Sequence, residues 1–458
     1  MIRTASRLDH IEPFYVMECA KAAETLARSA ACDPALGGEP MVFLNIGEPD
    51  FTAVEGVQEA AQQCLQRGRT QYTQAPGLPA LRQRIAAWYG QRWGVDVDPG
   101  RILITAGASG ALQLACLALF EPGDEVLMPD PSYPCNRHFV AAAGAQARLL
   151  RTTPAARFQP DAASVAAAWN PRTRGVLLAS PGNPTGTSIA PAELAAIVQA
   201  VRSRGGVTLV DEIYLGLGYD DAYGTSVLAL GAQLQDSVIS INSFSKYFGM
   251  TGWRLGWMVV PPELVAPLEK LAQNLYICAS SLAQHAALAC FEPAAMQVYE
   301  ERRAEFKRRR DYVVPALNEL GLTVTVAPDG AFYAWFDCSR YNASSWDFCI
   351  DMMQRAHVAL TPGRDFGPAF ADSHVRLSFA SSMEALQVAV DRLRRELSLP
   401  ATAHRARAQA PEQATVATAS ACSSCRPSLL ASSTAVIAGG ARGNSAGIIA
   451  ADARSTLS

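Results

Sequence analysis

The feature that most constrains the fold is a regular alternation of short β-branched runs with helical stretches between about residues 100 and 260. Strands that alternate with helices build a mostly parallel, doubly wound sheet whose two faces are both covered. We therefore predict an α/β fold with a seven-stranded sheet. The predicted strands are 102–105, 125–128, 147–150, 175–179, 207–210, 238–241 and 255–260.

Polar residues follow several of these strands directly. Asp130 follows the second strand, residues 181–183 follow the fourth, Asp211 closes the fifth and Ser243 follows the sixth. Ligands of open α/β sheets bind at the carboxyl ends of the strands. The sequence therefore predicts a ligand site at this edge.

The length of 458 residues suits two or three domains. We predict a large domain at 48–300 and a smaller α+β domain at 301–398, which an N-terminal segment at 1–47 joins. The remaining stretch, 399–458, is dominated by Ala, Ser, Thr and Gly and has no aromatic residue. Such a stretch cannot bury enough surface to offset its ordering entropy, so we predict a disordered tail.

Charge and cysteine usage exclude several classes of protein. A net charge of −3 argues against nucleic acid as the main partner. The eleven cysteines are scattered, which indicates reduced thiols in the cytoplasm rather than a disulfide framework. Cys422 and Cys425 have metal-site spacing, but no second pair accompanies them, and no metal site is predicted.

Membrane insertion is not expected. No apolar stretch follows the first arginines, so no secretory signal is predicted. The two uncharged runs, 102–120 and 271–291, contain too many polar groups for lipid. The basic run 307–310 is interpreted as a solvated helix face.

The strongest local signal is the string from Ser243 to Gly256, SFSKYFGMTGWRLG. Its lysine, Lys246, has hydroxyl residues just before it and Arg254 eight positions later. An amine can bond the carbonyl carbon of a phosphorylated aldehyde, while the hydroxyls and the guanidinium hold the phosphate.

This string resembles the cofactor-lysine motif of class I aminotransferases, the aspartate aminotransferase family of fold type I pyridoxal-phosphate enzymes. The resemblance extends over about residues 8–395. It also rests on the motifs 45–51 (NIGEPDF), 72–82 with Tyr72 and Gly77, 181–186 (PGNPTG), 211–214 (DEIY) and 362–379 with Arg376.

The resemblance implies pyridoxal 5′-phosphate as the cofactor, bound by the large domain. Lys246 would bond the cofactor and act as general base and acid, and Asp211 would face the pyridine nitrogen. Tyr214 would contact the phenolate oxygen. The further cofactor-binding residues would be Gly107, Ala108, Ser109, Tyr133, Asn183, Ser243, Ser245, Arg254 and Tyr72.

The resemblance also implies how substrates bind. Arg376 would hold the α-carboxylate, because a planar guanidinium matches a carboxylate with two hydrogen bonds. Gly47 and Asn183 would assist it. The residue matching Tyr72 reaches the neighbouring subunit's phosphate in the family, which implies a homodimer.

The expected reaction moves the amino group of an L-amino acid to a 2-oxo acid such as 2-oxoglutarate or pyruvate, with ping-pong kinetics. Many bacterial aspartate aminotransferases have a lysine where this chain has Ser109, which favours neutral or hydrophobic donors. Phe14, Val16 and Met17 could line an apolar pocket, although packing in the core explains them equally well.

Three alternatives stay open at this point. The same cofactor residues serve lyases, decarboxylases and cyclases that act on amino acids. A regulator with an aminotransferase-like domain would need a basic DNA-binding module, for which the segment before Asn45 leaves little room. A non-catalytic binding protein is disfavoured because none of the catalytic positions is degraded.

Overall fold

The computed structural model describes residues 2–13 and 15–398. The strands in this part are β1 (Val42–Phe43), β2 (Ile102–Thr105), β3 (Glu125–Asp130), β4 (Gln146–Arg151), β5 (Thr173–Ala179), β6 (Val207–Asp211), β7 (Val238–Ser243), β8 (Gly256–Val259), β9 (Tyr333–Asp337), β10 (Val358–Ala359), β11 (Thr361–Pro362) and β12 (His374–Ser378). The α-helices are α1 (Tyr15–Ala27), α2 (Glu55–Gln66), α3 (Pro79–Trp93), α4 (Gly107–Leu119), α5 (Pro134–Ala142), α6 (Ala162–Ala168), α7 (Pro191–Arg202), α8 (Pro262–Leu275), α9 (Ser281–Ala287), α10 (Pro293–Glu319), α11 (Ser345–Ala356) and α12 (Met383–Leu397).

The main sheet has seven strands in the order β2-β8-β7-β6-β5-β3-β4. Strands β7, β6, β5, β3 and β4 are mutually parallel, whereas β8 runs antiparallel to β2 and to β7. Each predicted strand is present, and its ends shift by at most two residues. The prediction of a mostly parallel, doubly wound sheet is confirmed.

Alternating side chains of the strands supply two apolar clusters on opposite faces of this sheet. In β3, Val126 and Met128 join a cluster with α4 and α8, whereas Leu127 joins the cluster that contains α3 and α7. This period of two places apolar residues on both faces of one strand. Helices therefore cover both faces, and the open positions are the ends of the strands.

Two smaller sheets lie beside the main one, and one of them joins the beginning of the described chain to its C-terminal part. Strands β11, β12 and β9 form an antiparallel sheet, and β1 pairs in parallel with β10. The register places Val42 opposite Val358. The predicted domain boundaries, at 47/48 and 300/301, stay a prediction.

The uncharged runs that raised the membrane question fold as the polar residues in them indicated. Residues 102–120 form β2 and α4, and 271–291 contain the end of α8 and all of α9. Within residues 2–13 and 15–398, the helices are too short or too polar to cross a bilayer. The predicted tail at 399–458, with Cys422 and Cys425, lies outside the described residues.

Candidate active site

A cavity of about 470 Å³ lies at the carboxyl edge of the main sheet. This volume is within the range of roughly 300–1,000 Å³ that small-molecule sites occupy. Its lining comes from the segments that follow β2, β5, β6 and β7, from α1, and from β9 and β12. The edge predicted from the order of the strands is therefore where the cavity is found.

Lys246 enters the cavity from the loop after β7. Its Nζ donates a hydrogen bond to the carbonyl oxygen of Gly47 at 2.6 Å. Burial lowers the pKa of Lys246 to about 8; Glu48 opposes this shift, and Arg376 and Arg254 add to it. A sizeable fraction of the amine is then neutral near pH 7–8, as a nucleophile requires.

The carboxyl group of Asp211 and the phenol group of Tyr214 lie at the end of β6 and just after it. Asp211 accepts a hydrogen bond from the amide of Ile213 at 3.1 Å. Burial raises the pKa of Asp211 to about 6, and that amide and Lys246 act against the rise. The hydroxyl of Tyr214 lies 2.7 Å from that of Tyr333, and burial raises the pKa of Tyr214 well above its ordinary value. A buried carboxylate with one amide donor favours a cationic partner in the cavity.

An anion-binding corner forms where α4 begins. The hydroxyl of Ser243 bonds that of Ser245 at 3.0 Å, and both line the cavity beside Arg254. Gly107 has φ +72°, and a Cβ there would lie 2.7 Å from Nη2 of Arg254. Glycine therefore lets the guanidinium approach the first turn of α4, whose free amides attract an anion.

Arg376, on β12, is a buried cation with only neutral hydrogen-bond acceptors. Nη1 donates to Oδ1 of Asn183 at 3.0 Å, and Nη2 donates to the carbonyl oxygen of Asn45 at 2.6 Å. Among the described residues, the hydrogen-bond acceptors of its Nη atoms are all neutral, and its Nε has no hydrogen-bond partner. Since a buried charge is costly without a counter-charge, this arrangement favours an anionic ligand.

The side of the cavity formed by α1 is largely apolar. Val16, Met17 and Ala20 line it, and Leu112 and Ile213 add further apolar surface. Of the two open explanations for Val16 and Met17, the structure favours the pocket. Phe14 lies outside the described residues.

The family of aminotransferases of class I and II has a model that matches residues 39–393. A valine–pyruvate aminotransferase of Mycobacterium tuberculosis is 38% identical over 383 residues, which are 84% of this chain and 96% of that protein. A crystal structure of an aminotransferase from Mycobacterium tuberculosis has a TM-score of 0.81 at 38% identity and covers 87% of this chain and 99% of its own. Aspartate aminotransferase from Thermus thermophilus, with maleate, has a TM-score of 0.79 at 31% identity, with coverages of 86% and 100%.

This chain belongs to the class I and II aminotransferases. The predicted family, fold and reaction class are confirmed by these likenesses. The enzyme therefore transfers amino groups, and the regulator and non-catalytic alternatives fall away.

All but two of the predicted site residues line the cavity of this aminotransferase. The two are Gly107, which lies behind Arg254, and Tyr72, which is 78% exposed. The residues that line the cavity are Gly47, Ala108, Ser109, Tyr133, Asn183, Asp211, Tyr214, Ser243, Ser245, Lys246, Arg254 and Arg376.

Four polar residues of the aminotransferase cavity, Glu24, Glu48, Thr251 and Tyr333, were not predicted as site residues. Tyr333 lies under the guanidinium of Arg376, with 4.6 Å from the guanidinium carbon to the ring centroid. Thr251 donates a hydrogen bond to Oε1 of Glu48 at 2.5 Å. Glu48 and Thr251 stand inside motifs that were identified, so their position was a usable signal. Tyr333 gave none, because a tyrosine in a buried strand usually belongs to the core.

Asp130 is the polar strand-end residue that the cavity does not include. Its Oδ2 accepts a hydrogen bond from the amide of Ala369 at 3.0 Å, and Gly367 lies against its carboxylate. Asp130 thus supports the 367–369 turn and lies outside the cavity lining.

Proposed function

We propose that this aminotransferase uses pyridoxal 5′-phosphate, held by Lys246, and prefers a neutral or hydrophobic L-amino acid as donor. The acceptor would be a 2-oxo acid such as 2-oxoglutarate or pyruvate. The observation that carries the donor assignment is the set of cations in the cavity lining, which are Lys246, Arg254 and Arg376.

The residues present fit the cofactor at three points. Arg254, Ser243, Ser245 and the start of α4 would hold the phosphate, and Lys246 would bond the aldehyde carbon. Asp211 would hold a proton on the ring nitrogen, since its buried carboxylate gains from a positive partner. When bound, the cofactor supplies the electron sink for negative charge at the substrate's α-carbon.

The side chains would also orient the substrate, move a proton and donate hydrogen bonds to the cofactor. Arg376 would orient the substrate through its α-carboxylate, which places the α-hydrogen near Lys246. The Nζ of Lys246 would take that proton as general base and return one as general acid. Tyr214 and Asn183 would donate hydrogen bonds to the cofactor's phenolic oxygen.

The preferred donor depends on whether a cation of the cavity lining is left to bind a carboxylate in the donor's side chain. The three cations are used by the phosphate, the aldehyde and the α-carboxylate, so the described part of the cavity lining offers no further cation for a side-chain carboxylate. Ser109 leaves a short neutral side chain where a lysine could otherwise stand, and α1 supplies apolar surface. The similarity to a protein named valine–pyruvate aminotransferase supports the same class of donor.

A panel of donors without acceptor tests this function. Each active site should release at most one equivalent of 2-oxo acid, faster from valine, methionine or phenylalanine than from aspartate. In the variant Ser109→Lys, aspartate should gain relative to valine because the new cation pairs with its side chain. Aspartate as the best donor of the unmodified enzyme would contradict the donor assignment. Release of ammonia, sulfide or carbon dioxide instead would indicate lyase or decarboxylase chemistry.

The low pKa of Lys246 predicts how cofactor uptake depends on pH. Above its pKa the amine is neutral and reacts, so uptake by the apoenzyme should rise with pH and level off above about 8. An ordinary lysine would still be rising towards about 10.4. In Glu48→Gln, which removes the charge that favours the protonated amine, the midpoint should move to lower pH. Stopped-flow absorbance between pH 6 and 10 measures both.

The matched control for this variant is Glu24→Gln. Glu24 lines the same cavity, yet it is not among the charges that shift Lys246. The control should keep the midpoint of the unmodified enzyme. Equal midpoints for all three proteins would show that Glu48 does not set the state of the amine.

We further propose that the enzyme is a cytoplasmic homodimer. The cysteines among the described residues are all free, as a reducing compartment predicts. Tyr72 is exposed, as a side chain that reaches a second subunit would be in a single chain. Sedimentation equilibrium should give twice the mass of the chain, and a monomer of full activity would refute the dimer.

A further inference from the structure

The wall that α1 forms is held at its first turn by a residue far away in the sequence. Tyr15 and Val16 donate their amides to Oδ1 and Oδ2 of Asp365, at 2.9 and 2.7 Å. The first amides of a helix have no partner within the helix, and a carboxylate there also complements the helix dipole. Asp365 therefore caps α1 from the turn that follows β11.

The same turn holds α1 by a second contact. The guanidinium carbon of Arg364 lies 4.4 Å from the ring centroid of Tyr15 and 3.4 Å from that of Trp346 in α11. Arg137 donates to the carbonyl oxygen of Asp365 at 3.1 Å. Neighbouring side chains from three elements thus fix the turn that carries the carboxylate.

The buried carboxyl group of Asp365 accepts a hydrogen bond at each oxygen. Asp365 is 1% exposed, and burial raises its pKa to about 6. The two amides of α1, Arg376 and Arg137 act against that rise. The ionised form offers an acceptor at both oxygens, as the two amides require.

The residues placed by this cap are those that face the substrate. Val16 and Met17 belong to the capped turn and Ala20 follows it; all three line the cavity, whereas Asp365 itself does not. We propose that Asp365 is a positioning residue for donor specificity, which holds α1 so that its apolar side chains close against the side chain of the amino donor. This inference rests on the proposed function for its choice of substrates.

The variant Asp365→Asn tests the cap with almost no change of shape. It replaces one acceptor oxygen by an NH₂ group, which meets an amide donor. Hydrogen exchange of the amides of α1 in the cofactor-loaded enzyme should become at least about tenfold faster, because local opening costs less. The matched control is Asp130→Asn, a buried aspartate that bonds the nearby amide of Ala369 and does not touch α1.

The enzymatic readout compares donors of different size. Burial of apolar surface stabilises in proportion to its area, so a loosened wall weakens the binding of a long side chain more than that of a methyl group. In Asp365→Asn the ratio of kcat/KM for methionine to that for alanine should fall about tenfold, and Asp130→Asn should keep it. A general structural defect would lower both donors alike.

A second variant acts on the other partner of the bond, in case Asp365→Asn does not fold. Tyr15→Pro removes one donated N–H at the first position of a helix, where proline is accepted. Tyr15→Leu is its control, because it loses the ring contact and keeps the amide. Tyr15→Pro should show the same faster exchange and the same fall in the donor ratio, relative to Tyr15→Leu.

The outcomes separate the two proposals. Unchanged exchange in both variants refutes the cap, and faster exchange with an unchanged donor ratio refutes its role in specificity. If the unmodified enzyme converts none of the donors, the proposed donor class fails, while hydrogen exchange still decides whether Asp365 holds α1.

Discussion

Replacement of Lys246 by alanine should abolish transamination, with a fall in kcat of about 10⁴-fold or more. The variant would lose both the amine proposed to bond the cofactor and the group proposed to move the proton at the α-carbon. Among the described residues Lys246 is the only lysine that lines the cavity, so we expect no other amine there to replace it. Release of 2-oxo acid in a single turnover, with saturating cofactor, measures the effect.

Rescue and a matched control make this result specific. A small amine such as methylamine, added to Lys246→Ala, should restore part of the proton transfer, which a folding defect would not allow. Lys270→Ala removes an exposed lysine of α8 and should retain the kcat of the unmodified enzyme. Turnover of Lys246→Ala within tenfold of the unmodified enzyme would refute the assigned role.

Replacement of Arg376 should produce the second largest effect. Arg376→Ala removes the buried cation that would pair with the substrate's α-carboxylate, a loss of about 2–5 kcal/mol or roughly 30- to 5,000-fold in kcat/KM. Arg376→Lys keeps the charge and loses the planar fork, so we expect it to recover only part of the loss. Steady-state kinetics with both substrates varied measures the change.

Both half-reactions should suffer, because the donor and the acceptor each carry a carboxylate beside the reacting carbon. The control is an alkylamine donor without a carboxylate, whose slow conversion should be the same in Arg376→Ala and in the unmodified enzyme. An equal loss for the alkylamine would place the effect of Arg376 elsewhere than in carboxylate recognition.

The sequence predicted the main sheet well because its strands are short β-branched runs between helices. What it could not predict is direction: β8 runs antiparallel to its neighbours. Direction depends on which strands pair, and pairing is a contact between residues distant in the chain. The lysine string ends within this reversed strand, and its residues Ser243, Ser245, Lys246 and Arg254 line one cavity.

Charged residues also show that a local sequence pattern cannot predict contacts between residues distant in the chain. The basic run 307–310 was interpreted as a solvated face, but Arg309 is 4% exposed. Its guanidinium donates to both carboxylate oxygens of Asp50, each at 2.9 Å. A helix pattern cannot reveal such a partner, because Asp50 is 259 residues away along the chain.

Residues of the candidate site were predictable where they lie within a motif. Lys246, Asp211 and Arg376 stand in strings that resemble motifs of the family, and the resemblance implied their roles. The sequence does not indicate a role for Tyr333 or Asp365, because their roles depend on contacts with Tyr214 and with α1. Those contacts exist only after the chain has folded.

The hydrogen bonds between α1 and Asp365 also have a consequence for the order in which the enzyme acquires its structure. Because 350 residues separate Tyr15 from Asp365, the ribosome makes the helix long before its cap. Closing so long a loop has an entropic cost that local contacts cannot offset early, so docking of α1 should be among the last steps of folding. A nascent chain arrested before residue 365 should thus hold a protease-sensitive N-terminus, and release of the completed chain should protect it.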